Sequence, residues 1–313
     1  MSVLLNHSNF KQNWATIVAY LILAALVVMA SLTSDVFLTS RNIHNLMRQA
    51  VALGIVSIGQ TLILISGGID LSVGSVISLT SCLATGTIMG QGTMVFPAVA
   101  LVIGVGLFIG FCNGIIVVKT HVSPLIVTLS MMSIIQGVVF VYTKGPIGEL
   151  PPWCDFVAWG MVGFIPFPIL ILAAIAAIGI IVQKHTRFGR YLFAIGGNEE
   201  VARLSGIKAD KIKISNYMVC SFLAAMTGLY LASRMGQGDP LTGERYMIDS
   251  IIPALIGGTS LMGGKGGIVG TLAGAFILTI ANNILNLVGV ETYWQWIVTG
   301  LIVIVSVSFY GKE

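Results

Sequence analysis

Long apolar runs separated by short polar segments fill almost the whole chain. In lipid, a helix satisfies its backbone polar groups within one segment, and the alternating ten-residue pattern of a membrane barrel strand is absent here. The runs therefore predict helices near residues 15–33, 48–66, 71–90, 95–118, 122–142, 164–182, 212–235, 249–263, 266–288 and 293–310. Gly, Ser and Thr dilute the third and the eighth run.

Composition places these helices in a membrane. The 313 residues are 56% hydrophobic and 9% charged, with a mean hydropathy of +0.96, whereas soluble domains carry roughly 25% charged residues. At about 20 residues per span, the chain has room for about ten spans and little else. The first run is longer than a signal-peptide core and lacks a small-x-small cleavage site, so it predicts a retained helix. We expect an all-α polytopic membrane protein with a single domain, residues 1–313.

The charge is concentrated in one loop, residues 183–213. It holds seven bases and three acids, which account for the whole net charge of +4, so the basic character belongs to this loop and does not indicate a nucleic-acid partner. With ten spans and the N-terminus inside, inside segments hold eleven bases and outside segments hold five. The positive-inside rule therefore predicts a cytoplasmic loop and cytoplasmic N- and C-termini.

Several kinds of chemistry are missing from the sequence. The run "GGTSLMGGKGG" resembles a phosphate-binding loop, but Thr259 stands where that motif needs its first glycine and Gly266 replaces the hydroxyl residue. The sequence contains neither HExxH nor G-x-S-x-G, and its four cysteines lack metal-ligand spacing. The chain is therefore predicted to be no enzyme and to bind no metal or cofactor itself.

The predicted spans contain neutral polar side chains but lack ionisable residues at their centres. Amides both donate and accept hydrogen bonds, so they suit a neutral, hydroxyl-rich solute; the alternative is hydrogen bonding between helices. Asp70 lies at a span end, where it either caps the helix beginning near Leu71, with help from Ser72, or contacts the solute. The candidate pathway residues are Gln60, Asp70, Asn113, Gln136, Asn282, Asn283 and Asn286.

Glycines form two further patterns. Gly106, Gly110 and Gly114, and later Gly266, Gly270 and Gly274, recur at four-residue spacing, which favours close helix packing. The segments "LISGGIDLSVG" and "LIGGTSLMGG" share a GG-x-x-L-x-x-G skeleton. Glycine-interrupted segments in two halves of a chain are typical of a transport pathway.

A polar helix is predicted within the basic loop. Asn198 is a suitable N-cap, Glu199 and Glu200 occupy the first turn, and Gly206 is suited to end the helix. Because such a short helix is unstable alone in water, it is expected to pack against another part of the protein or a partner. Its apolar residues Val201, Ala202 and Leu204 are expected to be exposed. It is therefore either a docking helix for a partner or simply part of a loop that sets topology.

The segments "SGGIDLSVGS", "GGNEEVARLSGI" and "LIGGTSLMGGKGGIVGTLAGA" resemble, in this order, those of the permease subunits of bacterial monosaccharide ABC transporters, the ribose-permease type. The resemblance covers about residues 40–310. Glu200, Val201, Ala202 and Gly206 are similar to the E-A-A-x-x-x-G core with which importer permeases engage their ATPase. Val201 replaces the first alanine, and the I-x-L-P tail of the longer motif is missing.

The resemblance implies an inner-membrane permease that imports a monosaccharide, ribose or a similar pentose or hexose. It implies two permease copies surrounded by membrane lipid, a cytoplasmic ATP-binding cassette subunit that holds ATP and magnesium, and a periplasmic sugar-binding protein. The implied ATPase-coupling residues are Asn198, Glu199, Glu200, Val201, Ala202, Arg203, Leu204 and Gly206. An ion-coupled secondary carrier and a membrane scaffold without transport are the alternatives.

Overall fold

The computed structural model describes residues 2–120, 122–291, 293–297 and 300–301, with side chains from residue 14 onward. These residues form α1 (Ser2–Thr33), α2 (Ser40–Ile65), α3 (Val73–Ile88), α4 (Val95–Thr120), α5 (Pro124–Tyr142), α6 (Phe156–Trp159), α7 (Phe167–His185), α8 (Arg187–Gly197), α9 (Glu199–Leu204), α10 (Ala209–Met235), α11 (Tyr246–Asp249), α12 (Ile252–Ile256) and α13 (Ile268–Leu287). Two short strands, β1 (Met161–Val162) and β2 (Ile165–Pro166), pair antiparallel.

Among the described residues, seven helices are long and apolar enough to cross a membrane: α1, α2, α4, α5, α7, α10 and α13. The all-α membrane fold predicted from the sequence is thus confirmed. The predicted count of ten spans stays a prediction, because most of the tenth helix, 293–310, lies outside the described residues.

Two predicted spans differ from the long helices. The third is shortened to the 16 residues of α3, which are almost entirely buried. The eighth, predicted as one helix over 249–263, is divided into α11 and α12 and is followed by a non-helical segment, residues 257–267. Pro253 occupies the first turn of α12, where proline is tolerated, and Gly257 and Gly258 follow its last residue. The prediction of one continuous helix there is wrong.

The core of the molecule surrounds α10, which packs against α2, α3 and α4. A Cβ atom at Gly110 of α4 would lie 2.5 Å from the carbonyl oxygen of Tyr217, and one at Gly114 would lie 2.6 Å from the Cα of Ile214. Since α10 backbone occupies this space, the packing interpretation of the first glycine stripe is confirmed.

The second glycine stripe is shorter than predicted. A Cβ at Gly270 or Gly274 of α13 would lie 2.0 Å or 2.2 Å from the carbonyl oxygens of Gly257 and Pro253, so these two glycines pack α13 against α12 and the residue after it. Gly266 lies outside this helix interface, in the segment before α13.

The helices define two opposite ends of the molecule, because α10 reaches both. At the α9 end, α9, Lys119 of α4 and Asp210 of α10 line one cleft. At the arginine end, the guanidinium of Arg48 donates to the carbonyl oxygen of Trp159 over 3.2 Å, and the Trp159 indole donates to the carbonyl oxygen of Arg234 over 3.2 Å. Bases assigned to inside and outside segments thus lie at different ends.

Candidate functional site

The helix α9 is held by a cap at each end. The Asn198 side chain accepts a hydrogen bond of 3.0 Å from the amide of Val201. Gly206 adopts a φ of 84°, and its amide and the one after it donate to the carbonyl oxygens of Arg203 and Ala202 over 3.0 and 3.1 Å. This is the Schellman arrangement, which favours glycine at the left-handed position. Both predicted caps are confirmed.

A network of ion pairs ties α9 to the start of α10. Arg203 donates to Glu199 over 2.8 Å and also pairs with Asp210, while Lys213 pairs with the second oxygen of Glu199. Burial alone would raise the pKa of the Glu199 carboxyl, but the hydrogen bonds from Lys213 and Arg203 outweigh it and hold the pKa below its ordinary value. Glu199 is therefore ionised at neutral pH and stabilises the position of α9.

The apolar residues of α9 point in different directions. Ala202 is only 4% exposed and packs in a small cluster with Ile195 of α8 and Ala209 of α10. Val201 and Leu204 are 57% and 83% exposed, and their spacing of three places them on one side of the helix. The prediction that Ala202 is exposed is wrong, because α9 uses this small side chain to lie close to its own chain. The exposed apolar surface consists of Val201 and Leu204.

A cleft of about 500 Å³ lies beside α9. The exposed Glu200 borders it together with residues from three elements, so the coupling candidates and the end of α4 form one continuous surface. Its lining residues are Val118, Lys119, Glu199, Glu200, Arg203 and Asp210.

A polar cavity of about 240 Å³ lies at the arginine end. Two of the seven candidate pathway residues, Asn282 and Asn286 of α13, line it. They are four residues apart and so lie on one face of the helix. The cavity is lined by Gln49, Leu53, Arg234, Arg245, Tyr246, Asp249, Thr279, Asn282, Asn286 and Gln295.

Several polar groups of this cavity are unpaired within the described chain. Arg245 pairs with Asp249 over 3.3 Å, and Gln295 donates to Asn286 over 2.8 Å. By contrast, the side chains of Gln49, Arg234 and Asn282 form no hydrogen bond or ion pair with any described residue. The cavity therefore offers free donors and acceptors to a polar solute.

The other pathway candidates lie outside this cavity and connect chain segments. Asn283 exchanges two hydrogen bonds, of 2.9 and 3.0 Å, with Asn42 of α2. Asn113 donates to Ser72, Gln136 donates to the carbonyl oxygen of Pro240, and Gln60 accepts from the thiol of Cys220, over 2.8, 3.0 and 3.7 Å respectively. The structure thus divides the candidates into cavity residues and connecting residues.

Asp70 is fully buried in the segment before α3. One carboxylate oxygen accepts from the backbone amide and the hydroxyl of Ser72, over 2.9 and 2.6 Å, and the other has no hydrogen-bond partner in the described chain. Because α3 begins at Val73, Asp70 orders the turn before the helix and is not its N-cap. The capping prediction is wrong.

Five charged or amide-bearing cavity residues were absent from the sequence-based candidates: Gln49, Arg234, Arg245, Asp249 and Gln295. Gln49 and Gln295 are amides at the start of predicted spans, a signal like the one that selected Asn282. The cavity residues come together only through the way α2, α10, α11 and α13 pack against one another. No three His, Cys, Asp or Glu side chains in the described part of the chain are arranged as metal ligands.

Comparison with known proteins places most of the chain in one family. Residues 42–307 match a family model described as the permease component of the branched-chain amino acid transport system. The chain belongs to this permease family. It is therefore a multi-pass inner-membrane protein, and the family is one of transport subunits.

Individual permeases are similar over nearly their full length. The ribose import permease protein RbsC of Escherichia coli K12 is 40% identical over 303 residues, which cover 95% of this chain and 93% of the relative. The protein of the same name from Bacillus subtilis is 38% identical, covering 94% and 92%. The xylose transport system permease protein XylH of Escherichia coli K12 is 30% identical, covering 91% and 88%. No solved structure matches the chain significantly.

Proposed function

We propose that this chain is the membrane permease subunit of an ATP-binding cassette importer for a monosaccharide, ribose or a similar pentose or hexose. The observation that carries the proposal is the 40% identity to a ribose import permease over 95% of the chain. The polar cavity supports it, since its amides and Arg234, which has no partner among the described residues, suit a hydroxyl-rich solute.

The coupling site in this proposal is the exposed surface of α9. Two caps and the ion-pair network hold the helix in place, and Val201 and Leu204 remain exposed. A rigid apolar patch on a polar loop suits docking into a groove of a partner protein. The proposed partner is a cytoplasmic ATPase subunit that binds ATP and magnesium and drives transport.

The remaining proposed partners are a periplasmic sugar-binding protein and a second permease copy, which would bind different surfaces of this chain. We propose that the arginine end faces the periplasm, since the basic loop with α9 would then be cytoplasmic. Sugar released by the binding protein would enter through the cavity that Asn282 and Asn286 line.

The experiment is uptake into proteoliposomes that contain this permease together with its proposed ATPase and sugar-binding protein. Radiolabelled ribose and xylose are compared with leucine, because the family description names branched-chain amino acids. We expect a pentose or hexose to accumulate in the vesicle lumen. This accumulation should require ATP in the lumen, on the ATPase side, and should persist when an uncoupler is added.

Three outcomes would contradict the proposal. Leucine accumulation without sugar uptake would assign an amino-acid substrate. Uptake by the permease alone, driven by an ion gradient and abolished by an uncoupler, would indicate a secondary carrier. Complete, ATP-hydrolysing complexes that never accumulate any solute would indicate a scaffold.

A further inference from the structure

Two glycine-rich loops of the chain contact each other. The first glycine loop is residues 66–72, between α2 and α3, and the second is residues 257–267, between α12 and α13. The amide of Gly264 in the second loop donates to the carbonyl oxygen of Ile65, just before the first loop, over 2.9 Å. A Cβ at Gly263 would lie 3.0 Å from the Cα of Gly67. The two segments that share a sequence skeleton are therefore in backbone contact.

Gly196, a half-buried residue near the end of α8, packs against both loops. A Cβ at this position would lie 1.8 Å from the carbonyl oxygen of Ile65 and 2.6 Å from the amide nitrogen of Gly264. These are backbone atoms, which cannot rotate away as the end of a flexible side chain can. The adjacent Gly197 differs, because a Cβ there would meet no described heavy atom within 4 Å beyond its chain neighbours and its own helix backbone.

This three-segment contact is joined directly to α9. Gly196 lies two residues before Asn198, the N-cap of α9, and the Asn198 amide donates to the carbonyl oxygen of Ala194 over 3.1 Å. The ion pairs of Glu199 hold the start of α9 on α10. Because no flexible linker separates α8 from α9, a displacement of α9 is transmitted along the backbone to Gly196.

The second loop is held at its other end by α7. The Gln183 side chain accepts from the amide of Ile268 over 3.1 Å and donates to the carbonyl oxygen of Gly266 over 3.3 Å. This loop leads into α13, which carries the cavity residues Asn282 and Asn286. Its position therefore sets the position of one wall of the cavity.

We propose that Gly196 is a positioning residue for transport, through which a movement of α9 shifts both glycine loops together. The inference rests on the proposed function, because it assigns α9 to the ATPase. Interrupted helices from two halves of a transporter are suited to form the moving part of a pathway. Direct backbone contact with two such segments lets one docking helix move both.

The test compares Gly196→Ala with Gly197→Ala in the complete complex of permease, ATPase and binding protein. The methyl group is the same, but it meets backbone at residue 196 and open space at residue 197. We expect Gly196→Ala to lower the sugar imported per ATP hydrolysed by about tenfold, within the range of a typical coupling between two sites. ATPase retention should stay unchanged, and Gly197→Ala should match the wild type in both measurements.

Equal sugar-to-ATP ratios in the two variants would overturn the inference while leaving the proposed function intact. If neither the wild type nor Gly197→Ala accumulates sugar, the proposed function itself fails. A merely structural effect of Gly196→Ala would lower the amount of complex and leave the ratio of sugar to ATP unchanged.

A second measurement applies even if Gly196→Ala does not fold. Spin labels at Gly197 and Met262, the latter 88% exposed, report the distance between α8 and the second loop. They are placed in a complex whose permease keeps Gly196 and has its native cysteines replaced by alanine. We expect the same distance with and without ATP, because the two segments move together. A nucleotide-dependent change of this distance in an actively transporting complex would overturn the inference.

Discussion

The backbone amide of Gly264 donates a hydrogen bond to the carbonyl oxygen of Ile65 over 2.9 Å, although 199 positions separate the two residues in the chain. The bond joins the two glycine-interrupted segments whose sequences resemble each other. In the sequence this resemblance is a repeated skeleton of a few residues. In the folded protein it corresponds to two irregular loops whose backbones are in direct contact.

Substitutions on the exposed and the buried face of α9 should affect docking and folding differently. Leu204→Glu introduces a charge at the exposed apolar position and should markedly reduce co-purification of the ATPase subunit, whereas Leu204→Met should retain it. Ala202→Leu should instead destabilise α9 on its own chain, by about 1–3 kcal/mol, because it overpacks a closed site. Limited proteolysis of the permease alone measures this loosening. Full ATPase recovery with Leu204→Glu would show that α9 is not the docking surface.

The ion pairs of Glu199 should make the position of α9 sensitive to acid. The folded-state pKa lies below the ordinary value of 4.5, so the ionised carboxylate contributes stability above pH 4.5. This contribution is lost as the pH falls through the lowered pKa. A nitroxide at residue 205, in a variant free of native cysteines, should become more mobile as the pH falls through the pKa of Glu199.

Glu199→Gln should give a mobile label already at neutral pH, with a weaker response to acid. The matched control is Glu200→Gln, since Glu200 forms no ion pair within the described residues; it should behave like the wild type. An identical acid response in Glu199→Gln and the wild type would mean that the Glu199 ion pairs do not hold the helix.

Two adjacent asparagines of α13 should respond differently to the same substitution. Asn283→Leu removes both hydrogen bonds to Asn42 and leaves the buried side-chain oxygen of Asn42 unpaired, although its nitrogen still donates to Phe37. The protein should be destabilised by about 1 kcal/mol. Adding Asn42→Leu should restore part of this loss. Asn282→Leu should lower sugar uptake at an unchanged melting temperature, because Asn282 faces the cavity without a described partner. Thermal unfolding and uptake at matched expression distinguish the two; normal uptake by Asn282→Leu would remove it from the pathway.

The orientation of the two ends can be tested with reporter fusions. A reporter after Lys208 should be cytoplasmic, and one after Gln237 should be periplasmic. Residue 237 is exposed, whereas a Cβ at the nearby Gly243 would lie 1.9 Å from the carbonyl oxygen of Gly74, so a fusion at Gly243 would separate packed segments. Reporters on the same side, or on exchanged sides, would contradict the proposed orientation.

Much of the fold could be predicted from the sequence because it depends on composition and on neighbours a few positions away. Apolar runs in a chain with few charges require a membrane and helices. The caps of α9 connect Asn198 to an amide three residues later, and Gly206 to the helix that precedes it. Such contacts close within one turn, whatever the rest of the protein does.

The three-dimensional packing of helices decided which neighbour each side chain meets. Asn282 and Asn283 are the same residue type at adjacent positions, but they point about 100° apart on α13; one lines the cavity and the other pairs with Asn42. Ala202 is buried because α8 and α10 lie against it. Gly196 contacts both glycine loops because three segments distant in sequence converge there. Such contacts depend on the relative positions of whole helices, which no local pattern of residues specifies.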